Sequence, residues 1–237
     1  HNLKKSFGGV HAVDGLSLSI EKGSITSIIG PNGSGKSTLV NLLTGMIPID
    51  EGGIVVSDVQ LSRIISSDIS PYGVTRTFQD VRLFEQMTVL DNMLVVLTER
   101  GVVASLFERH SQLHLKKAEE HLRRTGLWEK RNDLASGCSY GQRKLLEIAR
   151  ACAMNASLIF FDEPYAGLFP EMVKTVSGIM KELRDRGVTQ VLIEHNMDLI
   201  RELSDHVIVM DAGTLLAEGK PHEVLARKDV MEAYLGE

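Results

Sequence analysis

The stretch Gly30-Pro31-Asn32-Gly33-Ser34-Gly35-Lys36-Ser37-Thr38 constrains this chain more than any other part of it. It fits the pattern G-x-x-x-x-G-K-[ST] and stands between an apolar, strand-like run at 24–29 and a helix-like run at 38–46 with Leu39, Leu42 and Leu43 on one side. Glycines let the backbone curl until its N–H groups converge on an anion. The helix opening near Gly35 adds the positive end of its dipole. Lys36 can reach the β- and γ-phosphates of a nucleotide, and the Ser37 hydroxyl suits Mg²⁺. A bare glycine turn explains the loop but not the strand before it, the helix after it and the lysine within it.

The rest of the chain divides into three stretches. Before the loop, Leu16-Ser17-Leu18-Ser19-Ile20 alternates strictly, which predicts half-buried antiparallel strands in the first fifty-odd residues. The middle, 81–154, is helical in pattern. From Ser111 to Thr125, Leu115, Ala118 and Leu122 fall at helical spacing, with Glu119 and Glu120 four residues ahead of Arg123 and Arg124 and Gly126 as the stop. After 155, strand and helix alternate again. Leu158-Ile159-Phe160-Phe161 and Val191-Leu192-Ile193 read as strands buried on both faces. Pro170 opens a helix striped by Met172, Val176, Ile179, Met180 and Leu183 and closed at Gly187, and a hairpin turns at Asp211-Ala212-Gly213. This order predicts an α/β core with a largely parallel sheet and an inserted helical part.

Composition narrows the function classes. With 237 residues, 43% hydrophobic and 24% charged, the chain has ample material for a core. The longest apolar run, 93–97, is far short of the ~20 residues of a membrane helix. Lys4 and Lys5 are followed by Gly, Ser and Asp rather than a leader's apolar core, so neither membrane crossing nor export is expected. Lys and Arg number 26 against 31 Asp and Glu, a net charge of −5, which argues against gripping nucleic acid. Cys138 and Cys152 have no metal-ligand spacing and read as reduced thiols.

Two further constellations carry chemistry. Asp162 ends the buried run 158–161 and Glu163 follows it. One carboxylate can serve a metal's water shell while the next polarises an attacking water, although strand-end acids also serve as helix caps. Ser139-Tyr140-Gly141-Gln142 is a capping box before a helix with Leu145, Ile148, Ala149, Cys152 and Ala153 on one face. The box accounts for Ser139 and Gln142. Gly141 in the first turn is left over, and is expected to admit something from outside, at a helix N-terminus suited to an anion.

Together these motifs resemble the ATP-binding subunit of ABC transporters. The resemblance rests on the phosphate loop at 30–38, Gln79 in Thr77-Phe78-Gln79, the signature at 138–142, Leu158 to Glu163, and His195. Finer details resemble the branched-chain amino acid importer group: Phe7-Gly8-Gly9, Arg76-Thr77-Phe78-Gln79, Arg82-Leu83-Phe84, Met87-Thr88-Val89-Leu90-Asp91-Asn92, and Ile193-Glu194-His195-Asn196-Met197.

The resemblance implies a P-loop NTPase (RecA-like) core with an antiparallel β subdomain and an inserted α-helical subdomain. It implies one nucleotide-binding domain over 1–237, with 1–80 and 155–237 forming the core and 81–154 the helical part that carries the signature. It further implies ATP and Mg²⁺ as cofactors. Gly30, Pro31, Asn32, Gly33, Ser34, Gly35, Lys36, Ser37 and Thr38 would hold the phosphates, and Phe7 would stack on adenine. Ser37, Asp162 and Gln79 would serve the metal. Glu163 would be the general base, His195 would contact the γ-phosphate, and Gln79 would link the site to the membrane partner. Ser139, Gly141 and Gln142 would bind the γ-phosphate held by a second ATP-binding subunit, identical or related, in a head-to-tail dimer. Implied partners are that second subunit, transmembrane permease subunits and, indirectly, a periplasmic or extracellular substrate-binding protein, but no nucleic acid. The implied place is the cytoplasmic face of the inner membrane, peripherally. Phe78, Phe84, Met87 and Leu90 would offer a permease helix a groove, with only a subset exposed. Lipid or lipopolysaccharide export is the nearer alternative to import, and a soluble ATPase acting on nucleic acid or ribosomes the more distant one.

Three departures stand out. Cys138 occupies a position usually held by Leu, and Ala166-Gly167-Leu168 leads into Phe169 where Asp or Asn is usual. A strand normally precedes the stacking aromatic, and only six residues precede Phe7 here.

Overall fold

The computed structural model describes residues 1–56, 59–61, 72–98 and 112–235, and the structural statements below concern these. The chain divides into two compact units. The first comprises 1–76, 157–163 and 183–237, and the second 77–156 and 164–182.

In the first unit, continuous apolar runs make the strands of a six-stranded sheet in the order β10-β9-β3-β8-β7-β6. They are β3 (Ile25–Ile29), β6 (Val74–Arg76), β7 (Leu158–Asp162), β8 (Thr189–Ile193), β9 (His206–Asp211) and β10 (Thr214–Gly219). All neighbours are parallel except β9 and β10, the expected hairpin. Every residue of β3 and β8 is buried, as both faces are covered. On one face Ile28, Phe160, Val191, Ile193 and Ile208 pack with Leu39, Val40 and Leu42 of helix α1 (Lys36–Leu43). On the other, Ile29, Val207 and Val209 pack with Ile200 of α6 (Met197–Leu203), Val224 of α7 (Pro221–Val224) and Val230 of α8 (Lys228–Leu235).

Two antiparallel hairpins accompany the sheet, β1 (Leu3–Phe7) with β2 (Val10–Leu16) and β4 (Ile54–Val56) with β5 (Val59–Leu61). The strand before the aromatic is therefore present as β1, ending on Phe7 itself. The alternation at 16–20 predicted a strand that is not formed: β2 stops at Leu16. Leu18 and Ile20 still turn toward the core cluster. Alternating polarity reports which side meets the core, not whether a neighbouring strand is there to pair.

The second unit is helical: α2 (Val89–Leu97), α3 (Gln112–Arg124), α4 (Tyr140–Ala153) and the greater part of α5 (Pro170–Asp185). Met93, Leu94, Ala118, Leu122, Leu145, Leu146 and Ile148 are buried where α2, α3 and α4 pack together. Helix α3 matches its expected span, with Ser111 outside the described residues. It ends as Gly126 N–H bonds the Arg123 carbonyl and Leu127 N–H the Leu122 carbonyl, which satisfies its last carbonyls. Leu115, expected in its apolar stripe, is exposed. Glu119 pairs with Arg123 at 2.8 Å as expected, but Arg124 bonds Glu182 on α5. The units also divide differently from the expected boundaries, because residues 164–182 join the helical one. The physical reason is close packing on two glycines: Leu168 and Met172 lie against Gly141, and the Tyr140 ring against Gly167. Among the described residues no helix is long and apolar enough to cross a membrane.

Candidate functional site

Three adjacent parallel strands deliver the site's first group of residues to one end of the sheet. Ile28 of β3 is in register with Ile193 of β8, and Ile193 with Asp162 of β7. The phosphate loop, Glu163 and His195 therefore all follow directly from one row at the strands' carboxyl ends, where open α/β sheets bind ligands.

The loop is wedged tightly against its neighbours. A Cβ at Gly30 would lie 2.1 Å from the Met210 carbonyl oxygen, and one at Gly35 2.3 Å from that of Ala12; both residues have positive φ, 152° and 98°. Only glycine fits either place. Lys36 is buried and its Nζ donates to the carbonyls of Gly30 (2.7 Å) and Pro31 (2.9 Å) and to Ser34 Oγ (3.4 Å), crossing the loop from within. Gly213 N–H on the β9–β10 turn bonds the Ser34 carbonyl at 3.1 Å and braces the loop from outside. Helix α1 opens at Gly35 with no side-chain cap, so its first-turn amides remain directed at the loop, and Ser37 is exposed on that turn.

Asp162 is buried at the end of β7 and forms an ion pair with Arg76 at 2.6 Å. Glu163 then turns out of the strand with a left-handed φ of 46°, its N–H held by the Ile193 carbonyl at 3.0 Å. His195 Nε2 lies 3.2 Å from Glu163 Oε1. The turn that carries His195 is fixed by Glu194, whose Oε2 accepts from the N–H of His195 (2.7 Å) and of Asn196 (3.2 Å); Asn196 in turn caps α6. Phe7, at the end of β1, is half exposed, with Lys5 Nζ 5.4 Å from its ring centroid.

Gln79 and the 139–142 segment belong to the second unit. Ser139 and Gln142 form the expected capping box: Ser139 Oγ accepts from Gln142 N–H at 3.3 Å, and Gln142 Oε1 accepts from Ser139 N–H at 3.0 Å. Accepting in this way leaves the serine's O–H able to donate. A Cβ at Gly141 would lie 2.8 Å from Met172 Sδ, so packing within the chain also calls for a glycine here. Cys138 is buried, its thiol facing the Leu134 carbonyl at 3.9 Å, and burial pushes its pKa up. Phe169 is 71% exposed. Of the apolar set, Phe84 and Met87 are exposed beside Leu134, whereas Phe78 and Leu90 are half buried.

The family model described as ABC transporter matches residues 13–166, and one described as branched-chain amino acid ATP-binding cassette transporter matches 214–237. The chain belongs to the ABC transporter family. Among its relatives, the high-affinity branched-chain amino acid transport ATP-binding protein LivG of Salmonella typhimurium is 40% identical over 246 residues, covering 100% of this chain and 96% of that protein. The probable branched-chain amino acid transport ATP-binding protein LivG of Methanocaldococcus jannaschii is 37% identical over 249 residues, with coverage of 100% and 96%. A crystal structure of a nucleotide-free ATP-binding cassette from an ABC transporter superposes with TM-score 0.87 at 35% identity, covering 100% of this chain and 97% of that one. A crystal structure of the ADP conformation of an ATP-binding cassette of an ABC transporter gives 0.86 at 36% identity, with the same coverage.

In this ABC chain, sequence reasoning missed the residues that hold the motifs in place. Lys144 is wholly buried on α4, its Nζ donating to the carbonyls of Phe78 (2.9 Å) and Gln79 (3.1 Å). Glu147, one turn on, accepts from the N–H of Phe78 (3.2 Å) and Arg82 (3.4 Å), and burial raises its pKa despite Lys144 nearby. The Asn92 side chain, fully buried on α2, bonds both the N–H and the carbonyl of Phe84 at 3.0 Å. The available signal was a Lys and a Glu three apart, directly beside the apolar stripe of α4.

Proposed function

We propose that this chain is the ATP-binding and ATP-hydrolysing motor subunit of an importer for branched-chain or related amino acids. The observation that carries this reading is the single row of strand ends from which the phosphate loop, Asp162–Glu163 and His195 emerge. The loop amides, with Lys36, hold the β- and γ-phosphates. Phe7 offers its exposed ring to adenine. Glu163 accepts a proton from the attacking water, and His195, within hydrogen-bond reach of that carboxylate, orients the same water against the γ-phosphate.

The donors fit Mg²⁺. Ser37 and Asp162 supply hard oxygens of the kind such an ion takes, and Gln79 carries an amide oxygen of the same kind. Mg²⁺ bound through one or two protein oxygens takes the rest of its ligands from substrate phosphates and water. An Mg²⁺ ion held by these oxygens would supply positive charge against the nucleotide's phosphates.

Ser139, Gly141 and Gln142 face the γ-phosphate held by a second ATP-binding subunit, arranged head to tail. Phe169, too exposed to serve the core of its own chain, lies at that seam. Phe84, Met87 and Leu134 receive a permease's cytoplasmic helix, so the subunit works peripherally on the cytoplasmic face, with a substrate-binding protein reached through the permeases. The relatives' role in branched-chain amino acid transport supports this choice of cargo.

The test is Glu163→Gln. ATP binding persists while turnover falls by about 10²–10⁴, the usual contribution of a general base, and the variant elutes as a dimer with ATP. Near-normal hydrolysis refutes the assignment.

A further inference from the structure

We propose that Arg76 is a positioning residue that sets the spacing between Ser37 and Asp162, and through it the strength of Mg²⁺ binding. This rests on the reading above that these two residues serve the metal.

The geometry begins with strand register. Arg76, the last residue of β6, is paired with Phe160 of β7. Asp162 lies two residues beyond Phe160, hence on the same face of the sheet. Phe160 packs in the cluster that contains Leu39 and Leu42, so this is the face covered by α1. A long side chain at 76 can therefore reach both the carboxylate on its diagonal and the helix above.

Arg76 reaches both. Its Nη2 donates to Asp162 Oδ2 at 2.6 Å, while Nη1 donates to Asn41 Oδ1 at 2.6 Å and Thr44 Oγ1 at 3.3 Å. The side chains of Arg76 and Asp162 are each only 8% exposed. Asn41 stands four residues after Ser37, one turn along the same face of α1. The guanidinium thus spans from the carboxylate to the helix turn directly beneath the hydroxyl. It is planar and permanently charged, and its nitrogens are fixed relative to one another, which makes it a bar of constant length. It engages the carboxylate through Oδ2, and a carboxylate has about four lone-pair directions, so this bond is compatible with ligation of a cation.

Two effects of Arg76 on a cation oppose each other. Its charge repels one, whereas fixing the ligand geometry favours one. Partners that orient a metal's ligands are typically worth 10–100-fold in affinity. Replacing Arg76 by Lys keeps the repulsion and removes the fixed geometry, so that comparison reads the orienting effect alone.

The experiment measures binding of a fluorescent ATP analogue to the full chain in EDTA and in Mg²⁺, and takes the ratio of the two affinities. Arg76→Lys keeps the charge but loses the fork. It lowers the ratio about tenfold and leaves EDTA binding unchanged. Asn41→Ala, which keeps the Arg76–Asp162 pair and removes its anchor on α1, lowers the ratio in the same sense by less. Should Arg76→Lys fail to fold, Asn41→Ala decides the matter alone. An unchanged or increased ratio in the folded variants overturns the proposal, as does an equal loss in EDTA and in Mg²⁺. Asp162→Asn separates the two readings: if it leaves the ratio intact, Asp162 does not serve the metal and the functional assignment fails first.

Discussion

Glu163 sits in a backbone conformation that its side chain disfavours, and this has a measurable consequence. Its φ of 46° lies in the left-handed region. An L-residue pays about 1–2 kcal/mol there. Glycine pays nothing for the conformation but gives up ~0.5–1 kcal/mol through its greater freedom in the unfolded chain. Comparing Glu163→Gly with Glu163→Ala cancels the loss of the carboxylate and of its 3.2 Å contact with His195, since both variants lack them. Glycine should then be the more stable of the pair by about 1 kcal/mol, roughly 2–4 °C in Tm for a chain of this size. At an ordinary position the order is reversed. Thermal and urea unfolding without nucleotide would be the assay, because bound ATP would add its own stabilisation. If Ala equalled or exceeded Gly, the turn after β7 would carry no strain, and the fold would not be holding Glu163 toward His195 at a cost in backbone energy.

Lys36→Ala should weaken ATP binding by ~10–100-fold, the worth of charge-assisted hydrogen bonds, while AMP binding, followed by calorimetry, changes little. Gly141→Ala places a methyl 2.8 Å from Met172 Sδ and should destabilise the chain. Because methionine is flexible, the cost should sit near the low end of ~1–3 kcal/mol for overpacking, and Met172→Ala in the same chain should recover part of it on unfolding. Glu147 has its pKa raised above 4.5, burial being the leading cause. The folded chain therefore holds that proton more tightly than the unfolded one, and the contribution to stability is complete below 4.5 and lost as pH rises through the folded value. Denaturation of Glu147→Gln against the parent should show the variant gaining relative stability over that window; a shift in the opposite direction would mean that burial does not govern this carboxyl.

The sequence was most legible where a residue's chemistry and its local pattern coincide. The loop at 30–38 carried its own strand and helix, and β7, β8 and α5 appeared as continuous runs or stripes, because burial on two faces or one leaves that mark directly. The capping box at Ser139–Gln142 was equally local. What could not be read depended on a distant partner. That Gly141 also packs against Met172 could not be read, because nothing local announces a residue thirty-one positions later. Residues 164–182 looked like part of the core because strand–helix alternation does not say which unit a helix will pack against. Arg76, Lys144 and Glu147 were silent for a different reason. A charged residue usually marks a solvated surface, and only the folded chain reveals that these three side chains are buried and bonded to the segments they hold.

Lys144 and Glu147 show why such charges are kept. The segment from Phe78 to Arg82 is neither helix nor strand, so it cannot satisfy its backbone groups by a ladder of its own. An apolar face of α4 would pack beside it but leave those N–H and carbonyl groups unpaired, at about 1–3 kcal/mol each. A lysine offers several donors on one atom, which meets the two adjacent carbonyls of Phe78 and Gln79, and a glutamate offers the complementary acceptors to the amides of Phe78 and Arg82. Arg150, a turn further along, donates to the Arg82 carbonyl at 2.7 Å. Burying such charges gains little net stability. What it provides is partners for five backbone groups of the segment, which ties the segment to α4. The backbone of Gln79 is thereby fixed to the same helix whose first turn holds Ser139 and Gly141. Within the second unit, the residue read as sensing one γ-phosphate and those read as meeting another are thus held by one helix.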